Sequence, residues 1–383
     1  MAYGIFNPTS FLVRLDPLLL EQYSQERNIK FKAKKKENAQ QMAERFNLAL
    51  EEHEERDEVW VELRKVEEMA NDRGFSYLYE NTQAIGKPIS KKNMDELKNH
   101  HERSLWFLLN HPEVFRDTSE IYELDYITGW RRVQVVGRKK KFVAERTKQF
   151  EQALQHYFQK EFRGKRCKVE YYDRGDRIFM GAFVEDLPTN DITFEKNNLN
   201  KNKPRKPVFE AYFLYRPKEA ILEVKVRGGK KRVQAMQKIF AKEVLDTDIS
   251  PDDELAYDFD KLKDLDRLNF PVEPSDGIES VQLKGLRLYY PGDDIKLSLD
   301  VGNDPRDGGV GVIKDLIDEL SLTLEDLSVH QAVIKVKFRK RKNEGRQKSV
   351  TFRLTQPNAC DLRERKQDRK VRKLLKRWKL DTR

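Results

Sequence analysis

The apolar positions of this 383-residue chain change period near its middle. Ahead of Gly164 they recur at helical spacing. Ala39, Met42, Ala43, Phe46, Leu50, Val59, Leu63, Val66 and Ala70 form one series, which predicts helix across residues 36–73 with Gly74 as its stop. Residues 91–110, with Leu105, Trp106, Leu108 and Leu109 at their apolar end, predict another helix. So do residues 141–162, through Phe142, Phe150, Leu154, Tyr157 and Phe158. One apolar stripe per helix requires helix-on-helix packing.

From Cys167 the period is two. Residues 167–172 and 178–184 flank Asp173-Arg174-Gly175-Asp176, a turn-forming run, and predict a hairpin. A polar loop at 196–206 follows. Residues 208–215 and 220–226 then predict a second hairpin around Arg216-Pro217-Lys218-Glu219, and Gly228-Gly229 opens a helix over about 230–245. Beyond the acidic stretch 246–270, strands are expected at 278–290 and 295–301, joined at Pro291-Gly292. A loop at 302–309, a helix at 310–320 and a hairpin of 332–338 with 349–354 come next. The chain closes on a helix over 361–380, with Leu362, Val371, Leu374, Leu375 and Trp378 on one stripe. The expected fold is a multidomain α+β protein. Its parts are a helical region (1–165), an antiparallel four-strand-plus-helix unit (166–247), and an α+β domain (248–383) that ends in a basic amphipathic helix.

Composition narrows the class. Charged residues make up 37% of the chain and aromatics 10%, so the surface is hydrophilic while cores can still be filled. Two cysteines cannot build a disulfide framework, and residues 1–15 lack the pattern of a secretory signal. No apolar run approaches the roughly 20 residues of a bilayer helix. A cytoplasmic protein without membrane contact is expected.

Charge changes the picture most. Residues 246–330 carry 22 acids against 8 bases, a net of −14, whereas residues 335–383 carry twenty bases against five acids, a net of +15. Clustered Lys and Arg release counterions when they meet phosphates, so a polyanion is the natural partner. The candidate contacts on the hairpin are Lys337, Arg339, Lys340, Arg341, Lys342, Arg346 and Lys348. On the final helix they are Arg363, Arg365, Lys366, Arg369, Lys370, Arg372, Lys373, Lys376 and Arg377. Two other readings of the same charges stay open: neutralisation of the acidic segment within the chain, and an acidic protein partner. Trp378 could stack on bases, but its place on the apolar stripe favours core.

One constellation suggests chemistry. Glu223-Val224-Lys225, in the second strand of a hairpin followed by a helix, has the local arrangement of PD-(D/E)xK nucleases, where acids hold Mg²⁺ and the lysine orients water. The upstream aspartate is missing, and Glu210 is the sole acid of the first strand. The bland alternative is two outward residues of an amphipathic strand. Arg227-Gly228-Gly229-Lys230-Lys231-Arg232 could present backbone N–H groups to a phosphate, but it lacks the Gly and Ser/Thr of a Walker A loop. Residues 300–311 fail as an EF-hand, because Gly302 and Pro305 occupy essential positions. The six histidines form no i, i+4 metal pair.

Two stretches carry a resemblance. One contains Tyr212-Phe213-Leu214-Tyr215, Arg216-Pro217, Ile221-Leu222-Glu223 and Phe240. The other contains Gln356-Pro357-Asn358-Ala359-Cys360-Asp361-Leu362 and Arg377-Trp378. Together they resemble uncharacterised bacterial proteins encoded near phage-defence and mobile-element genes. The likeness includes no catalytic motif and implies only a context, encounter with foreign nucleic acid. The expected function is therefore a non-enzymatic, sequence-independent DNA- or RNA-binding protein without cofactor, presenting the strand to a partner enzyme. The alternatives are a Mg²⁺-dependent nuclease and an assembly subunit, in which the charged segments join copies of the chain or an acidic partner.

Overall fold

The computed structural model describes residues 6–84, 86, 89, 94, 96–136, 144–195, 197–250, 255–290, 295–302, 309–340 and 347–382. The chain divides into two compact units, Met1–Asp125 and Tyr126–Arg383.

The first unit is helical: α1 (Pro8–Leu12), α2 (Pro17–Glu26), α3 (Ala39–Glu51), α4 (Arg56–Met69), α5 (Asp72–Ala84), α6 (His100–Asn110) and α7 (Pro112–Leu124). Side chains of Asn7, Asp16, Asn38 and Asn99 accept hydrogen bonds from the first-turn N–H groups of α1, α2, α3 and α6, which sets where those helices begin. The single helix expected over 36–73 is broken between Glu51 and Arg56. Gly74 is no stop, since it lies inside α5. Asn71 Oδ1 accepts from the N–H groups of Arg73 and Gly74 and starts that helix. A Cβ on Gly74 would stand 2.1 Å from the Met69 carbonyl oxygen, so close approach of backbone demands the glycine. Of the helix expected at 91–110, α6 supplies the second half; residues 90–93 and 95 lie outside the described residues.

The second unit is built on a ten-stranded antiparallel sheet in the order β2-β3-β6-β7-β1-β12-β11-β10-β8-β9. Its strands are β1 (Trp130–Gln134), β2 (Cys167–Asp173), β3 (Ile178–Glu185), β6 (Val208–Arg216), β7 (Ile221–Val226), β8 (Ile278–Tyr289), β9 (Lys296–Asp300), β10 (Ser328–Phe338), β11 (Ser349–Thr355) and β12 (Ala359–Cys360). The fold class is thus mixed α+β, as expected. The expected boundary at 247 runs through this sheet. β1 joins the two halves by pairing with β7 on one side and β12 on the other. The boundary at 165 differs as well, because β1 and α8 (Thr147–Gln159) belong to the sheet unit.

Two cores lie on opposite faces. On one face α8 and α9 (Gly229–Leu245) cover the first half, packing Phe150, Leu154, Phe158, Met236 and Phe240 against Ala182, Phe213, Leu222 and Val224. On the other, α10 (Val310–Glu319) and α11 (Lys366–Arg377) cover the second half, packing Ile313, Ile317, Val371, Leu374 and Leu375 against Leu286, Ala332, Ile334 and Leu354. Register settles the alternation: Val224 of the first core lies opposite Arg131, while Cys360 of the second lies opposite the next residue back, Trp130. Trp378 is core, with its Nε1–H donating to the Pro271 carbonyl at 3.0 Å and its ring edge-on to Phe270.

The polar run expected as a loop at 196–206 supplies one strand of a separate two-stranded arm, β4 (Thr189–Glu195) with β5 (Asn198–Arg205). Cross-strand pairs Arg205–Asp191 (2.8 Å) and Lys203–Glu195 (3.6 Å) replace the apolar alternation that would have marked it. Ile192 and Phe194 are 70% and 75% exposed on the arm, so little core depends on it.

Candidate nucleic-acid interface

The arginines of the final helix are all paired with carboxylates of the sheet unit. Arg372 is surrounded by the sheet unit: its Nη1 donates to Glu223 Oε1 at 2.9 Å and its Nη2 to Glu364 Oε1 at 3.4 Å. Arg216 donates to both of these carboxylates, and Arg177 Nε stands 3.5 Å from Glu364 Oε2. Arg132 pairs with Asp381 at 2.8 Å. Arg365 pairs with Asp368 at 2.7 Å, Arg369 with Asp176 at 3.6 Å, and Arg377 with Asp276 at 2.6 Å. Lys370 donates to the Asp276 carbonyl, and the Arg363 guanidinium lies 5.4 Å from the Tyr126 ring centre. Glu273 and Asp276 come from the acidic segment, so part of its negative charge neutralises the helix within the chain. Lys366, Lys373 and Lys376 are exposed on the outer face.

The hairpin behaves differently. Alternation along β10 turns Ala332, Ile334 and Val336 into the core and Lys335 and Lys337 to the opposite face, two residues or roughly 6.7 Å apart. Arg353 of β11 lies on that face beside Val333, and Thr351 and Ser349 lie opposite the two lysines. Where the strands end, Arg339, Lys340 and Lys348 are exposed, with Arg339 Nε donating to the Ile278 carbonyl at 3.2 Å. Arg341, Lys342 and Arg346 lie outside the described residues. Lys335 and Arg353 extend the candidate set, and the i, i+2 spacing of Lys335 with Lys337 is the signal that could have found the first of them.

The nuclease candidates do not come together. Glu223 is fully buried, and its two oxygens are engaged by Arg216 and Arg372. Burial alone would raise its pKa, but Arg372, Arg216 and Arg132 outweigh that and hold the carboxyl at about 2. It is also not the outward strand residue of the bland reading. Glu210 is exposed and accepts from the Tyr212 hydroxyl at 3.0 Å. In the β6–β7 register it stands four residues from the position facing Glu223, roughly 13 Å along the strand, too far to share a metal ion. Lys225 is exposed on the same strand as Glu223 and lies over Gly129. Among the described residues no group of three or more His, Cys, Asp or Glu is placed to hold a metal ion.

The other motifs have local explanations. Gly228 and Gly229 have φ of +120° and +81°, and the Arg232 guanidinium occupies the opening of α9, donating to the Arg227 carbonyl at 2.7 Å and to Glu161 at 2.6 Å. The rejected EF-hand match falls largely on residues 303–308, outside the described residues. In the first unit an open groove of about 690 Å³ is lined by Val61, Leu108 and Phe115 together with Glu62 and Arg27. No helix among the described residues is long and apolar enough to cross a membrane. Comparison of the chain with protein-family models and with curated proteins finds no match.

Proposed function

We propose that this chain binds nucleic acid through its phosphate backbone, on the basic face of β10 and β11 and the end of their hairpin. The observation that carries the reading is the alternation of that hairpin: one side of each strand is core, and the other presents Lys335, Lys337 and Arg353 among Ser and Thr. Cations at every second position of an extended strand make a track for a polyanion, and hydroxyls between them add neutral donors. Such contacts read no base edges, so binding is sequence-independent and steeply salt-dependent. The outer lysines of α11 are a secondary contact, because the arginines of that helix are spent on internal carboxylates. The binding is non-enzymatic and serves to hold a strand for a partner, and the resemblance to proteins encoded near phage-defence genes makes foreign nucleic acid in the bacterial cytoplasm its setting.

The test is fluorescence anisotropy of labelled single- and double-stranded DNA and RNA, titrated against salt. The wild type should give a log–log slope of about −0.9 per phosphate contacted on duplex DNA. The triple variant Lys335→Glu, Lys337→Glu, Arg353→Glu should weaken binding on all sequences alike and flatten the slope. Equal affinity in wild type and variant would overturn the proposal. Affinity for an acidic protein with none for nucleic acid would replace it.

A further inference from the structure

The sheet register aligns residues that are far apart in the chain. Arg131 of β1 lies opposite Ala359, Ala359 opposite Thr355, Thr355 opposite Gln331, and Gln331 opposite Arg287 of β8. These five positions form one row across the same face as Lys335 and Lys337. At about 4.8 Å per strand the two arginine Cα atoms stand roughly 19 Å apart, with shorter side chains between them. The floor is polar, with the Gln331 amide donating to Thr355 Oγ1 at 2.8 Å. His330 adjoins it. Its ring meets Tyr289 edge-on at 4.7 Å between centres, and the Lys296 ammonium lies 5.3 Å from the centre of that same tyrosine ring.

Arg131 is the unusual member. It is half-buried in the sheet, and no carboxylate pairs with it among the described residues. Arginine is rarely buried without a partner, because desolvation of the charge is uncompensated. Arg287 likewise pairs with no carboxylate among the described residues. The acids nearest on this face are placed elsewhere: Asp361 holds Arg353, with Nε at 3.8 Å, and Asp300 stands one row away opposite Gly285. Among the described residues, Arg131, Arg287 and Lys296, from three strands, surround His330 and pair with no carboxylate.

We infer that this row is a phosphate-binding site, in which Arg131 and Arg287 close from either side on a phosphoryl group seated over Thr355 and Gln331. A planar, multi-donor guanidinium suits that oxygen geometry. The site deepens the nucleic-acid reading by naming the group gripped, and it rests on that reading only for the source of the phosphate. The source is either an internal phosphodiester or a terminal phosphate monoester.

His330 reports occupancy. In the free protein, burial and the cations Arg287, Arg131 and Lys296 hold its pKa below the ordinary imidazole value. A bound anion neutralises those cations and raises it. By linkage, binding of a phosphodiester, whose own charge is constant there, strengthens as pH falls from about 7.5 to 5.5, whereas a phosphate monoester itself takes up a proton near a pH of about 6. The groups facing the ring are Arg131 on β1, Arg287 and Tyr289 on β8, and Lys296 on β9, with Arg353, Asp361 and Asp300 a row away. The ordinary pKa values of all of these lie outside that window.

The experiment follows the histidine ring resonances of the full chain by NMR from pH 5 to 8, with and without inorganic phosphate, His330→Gln giving the assignment. Phosphate should move the His330 resonance and raise its titration midpoint. Arg287→Gln, an exposed change that leaves the fold intact, should weaken phosphate binding roughly tenfold or more, and Arg131→Gln should do the same. Oligonucleotides with and without a 5′-phosphate distinguish the sources. Equal His330 shifts point to the internal backbone, and a shift with the phosphorylated oligonucleotide alone points to the terminus. A His330 resonance indifferent to phosphate and to both oligonucleotides overturns the site, even where the β10–β11 track still binds nucleic acid. A response to phosphate with no oligonucleotide affinity upholds the site and removes the nucleic-acid reading instead.

Discussion

Replacing Glu223 by Gln keeps the shape of the side chain and deletes its charge. In the wild type Glu223 is fully buried, and Arg216 and Arg372 donate to its oxygens. Those cations, with Arg132, bring its pKa from the ordinary 4.5 to about 2. A difference of that size corresponds to about 3 kcal/mol in favour of the ionised form, since one pKa unit is about 1.4 kcal/mol. Glutamine resembles the protonated acid and leaves two buried guanidinium groups to share Glu364, and a buried charge that loses a partner costs on the order of 3–5 kcal/mol. Urea unfolding followed by tryptophan fluorescence should therefore place the midpoint of Glu223→Gln about 1 M lower, at a slope near 3 kcal/mol per molar. The pH dependence has a definite sign. The folded-state pKa is depressed, so the wild-type advantage is full above the unfolded value of 4.5 and disappears as pH falls toward about 2. A variant within about 0.5 kcal/mol of wild type at neutral pH would refute the reasoning. If that variant also lost a Mg²⁺-dependent cleavage present in the wild type, Glu223 would be catalytic after all.

Other consequences are checkable by similar means. Arg372→Ala removes a partner from both Glu223 and Glu364 and should cost about 3–5 kcal/mol in urea unfolding, whereas Lys373→Ala next to it, exposed on the outer face, should cost under about 0.5 kcal/mol. Replacing the β4–β5 arm by a short turn should move the calorimetric melting midpoint by no more than about 2 °C, because its apolar side chains lie in solvent. A larger drop would mean that the arm supports the sheet. Burial pushes the Cys360 thiol up to about 11 and the Cys167 thiol up to about 12. Ellman's reagent at pH 8 should therefore label both only when guanidinium is added, and rapid labelling of the native protein would contradict that protection.

Much of the local structure was written in the period of the apolar residues. Both hairpins of the first half-sheet, the hairpin of β10 and β11, α9 and the apolar stripe of α11 lie within a few residues of expectation, because each buries one face of its own sequence. Local signals failed where a partner far along the chain decided the outcome. The β4–β5 arm is held by ladder bonds and charge pairs, which leave no apolar rhythm, and Gly74 serves the Met69 carbonyl and ends no helix. The join of the two half-sheets through β1 could not be read either, since a five-residue strand is specified by the two neighbours that await it.

The site divides along the same line. The sequence by itself determined that a basic surface ends the chain and that β10 alternates core with lysine, because charge and period are properties of consecutive residues. Only the tertiary structure decided which cations remain available. Arg372, Arg365 and Arg377 look like their neighbours in one dimension, yet Glu223, Asp368 and Asp276 consume them once the chain folds. Arg131 and Arg287, 156 positions apart, share a row only because five strands of the sheet bring them to the same register. The physical reason is reach: periodicity acts over a few residues, whereas a charge is neutralised or left open by whatever packing places within a few ångströms of it.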